Sequence, residues 1–256
     1  MSNNQIPDFK IIIPARYAST RFPGKPLVDI AGKTMLQHAW ECARKSAASE
    51  IIIATDDDRI YQVAKQFGAK VCMTDNKHPT GTDRLGEVCG LYQWSDDDIV
   101  VNLQGDEPLT PAVILQQVAH NLSRHARAGM ATLSTPILSA ADVSNPNVVK
   151  VVTDKEGYAL YFSRAPIPWN RDTPNVMDDQ LVYAYQRHLG IYAYRVGFLR
   201  SYSTLKPCEL ERIEKLEQLR ALYNGVAIHV AVAQALPGPG IDSPEDLVKI
   251  RDLLAG

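Results

Sequence analysis

Three cations stand close together in one loop of the sequence, with no acidic residue among them. The segment Pro14-Ala-Arg16-Tyr-Ala-Ser-Thr-Arg21-Phe-Pro-Gly-Lys25-Pro26 directly follows the β-branched apolar run Lys10-Ile-Ile-Ile. Guanidinium forks match phosphate oxygens in pairs, and a lysine adds a point charge. Backbone N–H groups of a turn-rich loop supply further donors for an anion. Arg16, Arg21 and Lys25 together are what a triphosphate needs. A solvated basic loop is the plainer alternative, but the position after a buried strand favours phosphate. The loop is not a Walker A motif, because Pro26 stands where Ser or Thr should follow the lysine, and it is not G-x-G-x-x-G.

Carboxylates mark other strand ends. Asp106 leaves an apolar run through Gln104 and Gly105, and Asp242 closes Pro237-Gly-Pro-Gly-Ile-Asp242. Two such aspartates suit Mg²⁺, which takes oxygen ligands and shares them with substrate phosphates. Taken alone, Asp242 also fits an Asx turn or a helix start. The run Asp56-Asp57-Asp58 reads as a helix N-terminus, and Asp96-Asp97-Asp98 as a solvated turn. Glu217 falls inside the apolar arc of a helix read over 209–223, with Glu214 and Gln218 at its edge. A carboxylate there either lines a polar pocket or pairs with Arg212 or Arg220, and the pattern leaves both open. Arg164 follows an aromatic run and precedes two prolines. His188 precedes an alternating strand and by itself reads as structural. The absence of an H-x-x-H pair or a Cys/His cluster argues against zinc, and the absence of G-x-S-x-G against a hydrolase serine.

The elements that must position these residues alternate. Strands are expected at 10–14, 50–54, 71–74, 98–103, 130–134, 148–153, 189–195 and 228–234. Helices are expected at 36–47, 57–67, 82–91, 111–124 and 209–223, with a last one opening at Ser243 and a polar loop over 170–180. Continuous apolar strands imply a sheet covered on both faces. The class is α/β, a mostly parallel (mixed) sheet sandwiched by helices, with ligands at the carboxyl ends of the strands. At 256 residues the chain reads as one domain, 1–256, with a nucleotide-binding half over about 1–125 and a second half over about 126–256. The net charge of −2 argues against a nucleic-acid partner. No window is apolar enough for a membrane helix, the first residues do not form a signal peptide, and four scattered cysteines suit a reduced, cytoplasmic setting.

The segments IIIPARYASTRFPGKPL, HPTGTDRLGEV, VVNLQGDEPL, YALYFSRAPIPW, RHLGIYAYR, IEKLEQLRAL and PGPGIDSPEDL run from Ile11 to Leu247. Together they closely resemble the 3-deoxy-manno-octulosonate (Kdo) cytidylyltransferase family, with small departures such as Phe22 and Pro79. The resemblance implies a nucleotide-diphospho-sugar transferase-like fold and a homodimer. It implies the reaction of CTP with Kdo to give CMP-Kdo and pyrophosphate, which feeds lipopolysaccharide biosynthesis, with Mg²⁺ as cofactor. It puts the triphosphate on Arg16, Arg21 and Lys25, and the nucleotide also on Thr80, Gly81, Arg84 and Gln104. It puts the metal on Asp106 and Asp242, and the sugar acid on Arg164, His188, Glu217 and Gln218. Arg21, Lys25, Asp106 and Asp242 would carry the chemistry. Alternatives are a cytidylyltransferase for another acidic sugar (neuraminate or 8-amino-Kdo), a glycosyltransferase using Asp56-Asp57-Asp58, and a silent nucleotide-binding protein.

Overall fold

The computed structural model describes residues 6–18, 22–172, 181, 185–241, 246–248 and 250. In chain order these form β1 (Lys10–Ala15), a 3₁₀ turn (Lys25–Leu27), β2 (Asp29–Ile30), β3 (Lys33–Thr34) and α1 (Met35–Arg44). Next come β4 (Glu50–Thr55), α2 (Asp58–Gln66), β5 (Lys70–Met73), α3 (Gly81–Leu91), β6 (Ile99–Asn102) and α4 (Ala112–Arg124). The second half continues with β7 (Ala128–Pro136), α5 (Ala140–Ser144), β8 (Lys150–Thr153), β9 (Ala159–Ser163) and β10 (Gln186–Arg195). It closes with α6 (Val196–Tyr202), α7 (Glu209–Glu214), α8 (Gln218–Tyr223) and β11 (Ala227–Val232).

One mixed sheet of nine strands carries the fold, in the order β11-β7-β10-β6-β1-β4-β5, with β8 on β10 and β9 on β8. The pairs β1–β4, β1–β6, β4–β5 and β7–β11 are parallel, and β10 runs antiparallel to β6, β7 and β8. The β-branched runs are continuous because both faces are covered. Ile11, Ile13 and Ala15 pack with α1, α2 and α4, whereas Ile12 packs with α3, α6 and α8. Each such isoleucine is fully buried, which stabilises by about 2 kcal/mol per side chain.

Two expectations are corrected and one strand is added. The helix read over 209–223 is two short helices, α7 and α8, broken at Lys215, whose φ of 55° and ψ of 47° are left-handed. Residues 159–163 form a strand, β9, paired to β8. The alternating strand β10 starts at Gln186, so His188 lies within it rather than before it. The expected helix start at Ser243 and most of the 170–180 loop lie outside the described residues, while residues 246–248 are helical.

Candidate active site

The loops that follow β1 and β6 leave the sheet side by side, because the two strands are parallel neighbours with Ile12 opposite Asn102. Gly105 allows them to touch: a Cβ there would meet the Pro14 carbonyl oxygen at 3.1 Å. In the first loop Gly24 takes a left-handed turn (φ 74°) against the Tyr17 ring and starts the 3₁₀ turn, with Pro26 fixing its first residues. That turn aims Lys25 inward. Its side chain is 9% exposed, and its ammonium donates to Asp106 Oδ2 at 2.7 Å, while Asp106 remains 41% exposed. The Asp106 carbonyl in turn accepts from the N–H of Ile241, so the 237–241 loop is tied to the same strand end. Arg21 and Asp242 lie outside the described residues.

A cavity of about 410 Å³ opens over these groups, lined by Arg16, Lys25, Thr80, Gly81, Gln104, Asp106 and Glu217 among others. Arg16 reaches across it and donates to the carbonyls of His78 (2.6 Å) and Thr80 (3.0 Å). Burial and the nearby Arg84 hold its guanidinium below the usual arginine range. Thr80 caps α3: its hydroxyl oxygen accepts from Asp83 N–H at 3.2 Å while the hydroxyl donates to Asp83 Oδ2 at 2.7 Å. The positive end of α3 therefore faces the same cavity as Arg16 and Lys25.

Arg84 lines neither this cavity nor the one described next. It is fully buried one turn into α3, where it donates to Asp56 at 2.8 Å and to Thr74. Asp56 thus belongs to this ion pair, and Asp57 is the residue that caps α2. Breaking a buried pair strands the remaining charge. Asp56→Ala should therefore lower the unfolding free energy by about 3 kcal/mol, read as a lower urea midpoint at unchanged slope.

A second cavity, of about 340 Å³, adjoins the first, and Gln104 and Glu217 line both. One face of β10 forms its wall. His188, Gly190, Tyr192 and Tyr194 line it, while Leu189, Ile191 and Ala193 point into the core. Thr132 gives its single hydroxyl proton to a β10 carbonyl, so its oxygen accepts from His188 Nε2 at 3.0 Å. Burial pushes His188 down to about 3, so the ring is neutral near pH 7. Opposite, the break between α7 and α8 presents Lys215, Glu217 and Gln218 to the cavity. Glu217 accepts from the Thr82 hydroxyl at 3.0 Å, and its enclosure by the protein raises its carboxyl pKa above the ordinary value. The alternative pairing to arginine is not what forms. Arg220 binds Glu211 through two hydrogen bonds, and Arg212 binds Glu209. Gln218 is buried, and its Nε2 has no hydrogen-bond partner among the described residues. Arg164 lines neither cavity; it donates from Nε to the Glu214 carbonyl at 2.7 Å and from Nη1 to the Pro146 carbonyl at 2.9 Å.

Several cavity residues escaped the sequence reading: Thr82, Asn102, Arg187, Tyr192 and Lys215. The period of two along β10 was a usable signal for Tyr192 and Tyr194, which share the His188 face. Lys215 had none, since nothing in its neighbourhood announces a left-handed residue.

A model of the cytidylyltransferase family matches residues 10–228. A 3-deoxy-manno-octulosonate cytidylyltransferase of Aeromonas hydrophila is 57% identical over 251 residues, covering 96% of this chain and 99% of that one. The chain belongs to the 3-deoxy-manno-octulosonate cytidylyltransferase family. Another relative of the same name, from Haemophilus influenzae, is 55% identical over 96% of this chain and 98% of its own. A solved CMP:2-keto-3-deoxy-manno-octonic acid synthetase complexed with CTP superposes with a TM-score of 0.88 at 43% identity, over 97% of this chain and 99% of that one. A 4-diphosphocytidyl-2C-methyl-D-erythritol synthase shares the fold at a TM-score of 0.63 and 13% identity, over 98% of this chain and 100% of that one. The protein is accordingly a nucleotidyltransferase with the nucleotide-diphospho-sugar transferase-like fold.

Proposed function

We propose that this chain couples CTP to Kdo, releasing pyrophosphate and giving CMP-Kdo for lipopolysaccharide biosynthesis. The observation that carries this reading is the meeting of two cavities at Gln104 and Glu217, one cationic and one walled by aromatic and hydrogen-bonding side chains. Triphosphate belongs in the first, on Arg16, Arg21, Lys25 and the N-terminus of α3. The sugar acid belongs in the second, with His188, Glu217 and Gln218 as hydrogen-bonding groups. The junction is then where the sugar's anomeric hydroxyl meets the α-phosphorus. A displacement of this kind needs positioning and charge stabilisation rather than a protein nucleophile.

The donors at the first cavity suit Mg²⁺. Asp106 offers a part-exposed hard carboxylate, and Asp242 follows in sequence Ile241, whose N–H donates to the Asp106 carbonyl. Mg²⁺ takes such an arrangement, one or two carboxylates completed by phosphates and water. Asp106 and Asp242 would hold the ion, which when bound supplies charge neutralisation at the phosphates. Lys25 stabilises the leaving pyrophosphate. Arg16 fastens the first loop to the loop before α3, so that the cation and the helix end act on one ligand.

A panel of nucleoside triphosphates against sugar acids, read by pyrophosphate release with Mg²⁺, tests the assignment. Release only with CTP and Kdo is expected; release with CTP and another sugar acid but not Kdo would overturn it. Glu217→Gln should raise the KM for Kdo about tenfold and leave that for CTP within twofold, because Glu217, although it lines both cavities, is proposed to hydrogen-bond the sugar acid, and that charged acceptor is lost. Glu217 acts as the carboxylate, so kcat/KM for Kdo should fall as pH drops through its raised pKa. The acid limb then lies higher than an ordinary glutamate would give and disappears in Glu217→Gln. His188, already neutral there, adds no limb.

Two chains are proposed to associate as a homodimer. Leu138, Trp169 and Ile213 are large apolar side chains left exposed on the single chain, and sedimentation equilibrium would give the mass. A cytoplasmic location fits four unbridged cysteines, and among the described residues no helix is long and apolar enough to cross a membrane.

A further inference from the structure

The left-handed residue between α7 and α8 is held in place from outside the helices. Lys215 has φ 55° and ψ 47°, a conformation that lysine adopts only against a steric cost. The residue before it, Glu214, is gripped at three points by the end of β9. Ser163 Oγ donates to Glu214 Oε1 at 2.5 Å, Arg164 N–H donates to Oε2 at 2.9 Å, and Arg164 Nε donates to the Glu214 carbonyl at 2.7 Å. Arg164 is itself anchored. Its carbonyl accepts from the fully buried ammonium of Lys150 at 2.7 Å, and that ammonium also binds the carbonyls of Asn145 (2.9 Å) and Val148 (2.6 Å). The 145–149 segment lines the sugar cavity through Asn147 and Val149, and the residues after the break line it through Lys215, Glu217 and Gln218. The two walls are thus tied to each other through Ser163, Arg164 and Glu214.

We propose that Glu214 is a positioning residue for the sugar site: its carboxylate, clamped by Ser163 and Arg164, fixes the left-handed break that carries Glu217 and Gln218 into the cavity. Were the helix to continue through residues 214–218, Glu217 would take its place on the apolar arc of the 209–223 pattern. The clamp supplies what a lysine in this conformation lacks locally, two charge-assisted bonds and a third to the carbonyl of the same residue. Glu214 itself lines neither cavity, so its effect on substrate passes through Glu217 and Gln218.

The inference rests on Kdo occupying the second cavity, and its test separates the two ideas. Glu214→Ala should raise the KM for Kdo about tenfold or more with the CTP KM within twofold, since misplacing a binding group by about 1 Å has effects of this order. Glu214→Gln, which keeps the shape, should fall between. In a Lys215→Gly background, where the left-handed turn is free of steric cost, the effect of Glu214→Ala should shrink at least about threefold. A folded Glu214→Ala or Glu214→Gln protein with an unaltered Kdo KM would overturn the proposal. So would an equal rise in both KM values, or an effect of the same size in both backgrounds. Amide hydrogen exchange across 214–218 reads the clamp without substrate, and faster exchange is expected in Glu214→Ala. If the wild-type chain fails to turn over Kdo, the functional assignment falls, and unchanged exchange would then sink the clamp on its own.

Discussion

Lys25→Met should lower kcat about a thousandfold, roughly 4 kcal/mol of transition-state stabilisation, while the KM for Kdo changes by less than about threefold. Lys25 lies at the junction of the β1 and β6 loops, paired to Asp106, with only 9% of its side chain exposed. Negative charge builds on the β- and γ-phosphates as pyrophosphate departs, and a charge in a water-poor site acts far more strongly than one in water. Methionine keeps most of the volume against the Gly24 turn, so the loop should hold its shape. Single-turnover kinetics with saturating CTP and Kdo would check the value. A kcat within tenfold of wild type would mean that Lys25 serves only to neutralise Asp106.

Asp106→Asn should be equally severe and differ in its signature. Turnover is expected below about a thousandth of wild type, with the concentration of Mg²⁺ giving half-maximal rate raised at least about tenfold. The substitution is nearly isosteric. It leaves the backbone bond from Ile241 to the Asp106 carbonyl in place and frees the Lys25 ammonium from its ion pair. The 237–241 loop should therefore stay docked, and loss of activity would report the missing carboxylate rather than a displaced loop. Pyrophosphate release followed across a Mg²⁺ titration checks this. Near-normal activity at saturating Mg²⁺ would refute the role given to Asp106. The two variants also differ when combined: because Lys25 and Asp106 touch at 2.7 Å, their effects on kcat should not add.

Much of this site was legible before any fold was considered. The cationic loop stands out because Arg16, Arg21 and Lys25 follow a β-branched run without an acid between them, and phosphate chemistry needs no tertiary information to suggest itself. Asp106 was readable for a similar reason: a carboxylate leaving a buried strand through Gln104-Gly105 sits where open parallel sheets bind ligands. The start of α2 was equally local: the run Asp56-Asp57-Asp58 reads as a helix N-terminus, and Asp57 caps that helix. Arg84 shows the limit. The family resemblance implied a place near the nucleotide, and the fold buries the side chain against Asp56 and Thr74, because the charge partner of an arginine is chosen by packing and not by spacing.

By itself, then, the sequence determined the alternation of strands and helices, the cationic loop after β1, the carboxylate of Asp106 after β6 and the family resemblance. These depend on periodicity and short-range order, which a linear chain carries in full. Only the tertiary structure decided the sugar side of the site. The segment 209–223 has helix-forming residues and a helical apolar period throughout, so local propensity gives one helix with Glu217 on its core-facing stripe. Bonds from Ser163 and Arg164, some fifty residues away along the chain, fasten Glu214, and the chain turns left-handed at Lys215. Glu217 then meets Thr82 at the junction of two cavities instead of an arginine in the core. The physical reason is one of magnitude. Helix propensities differ by tenths of a kcal/mol per residue, whereas a clamp of several hydrogen bonds, two of them to a carboxylate, contributes about 1.5–3 kcal/mol for each charged bond and so overrides them.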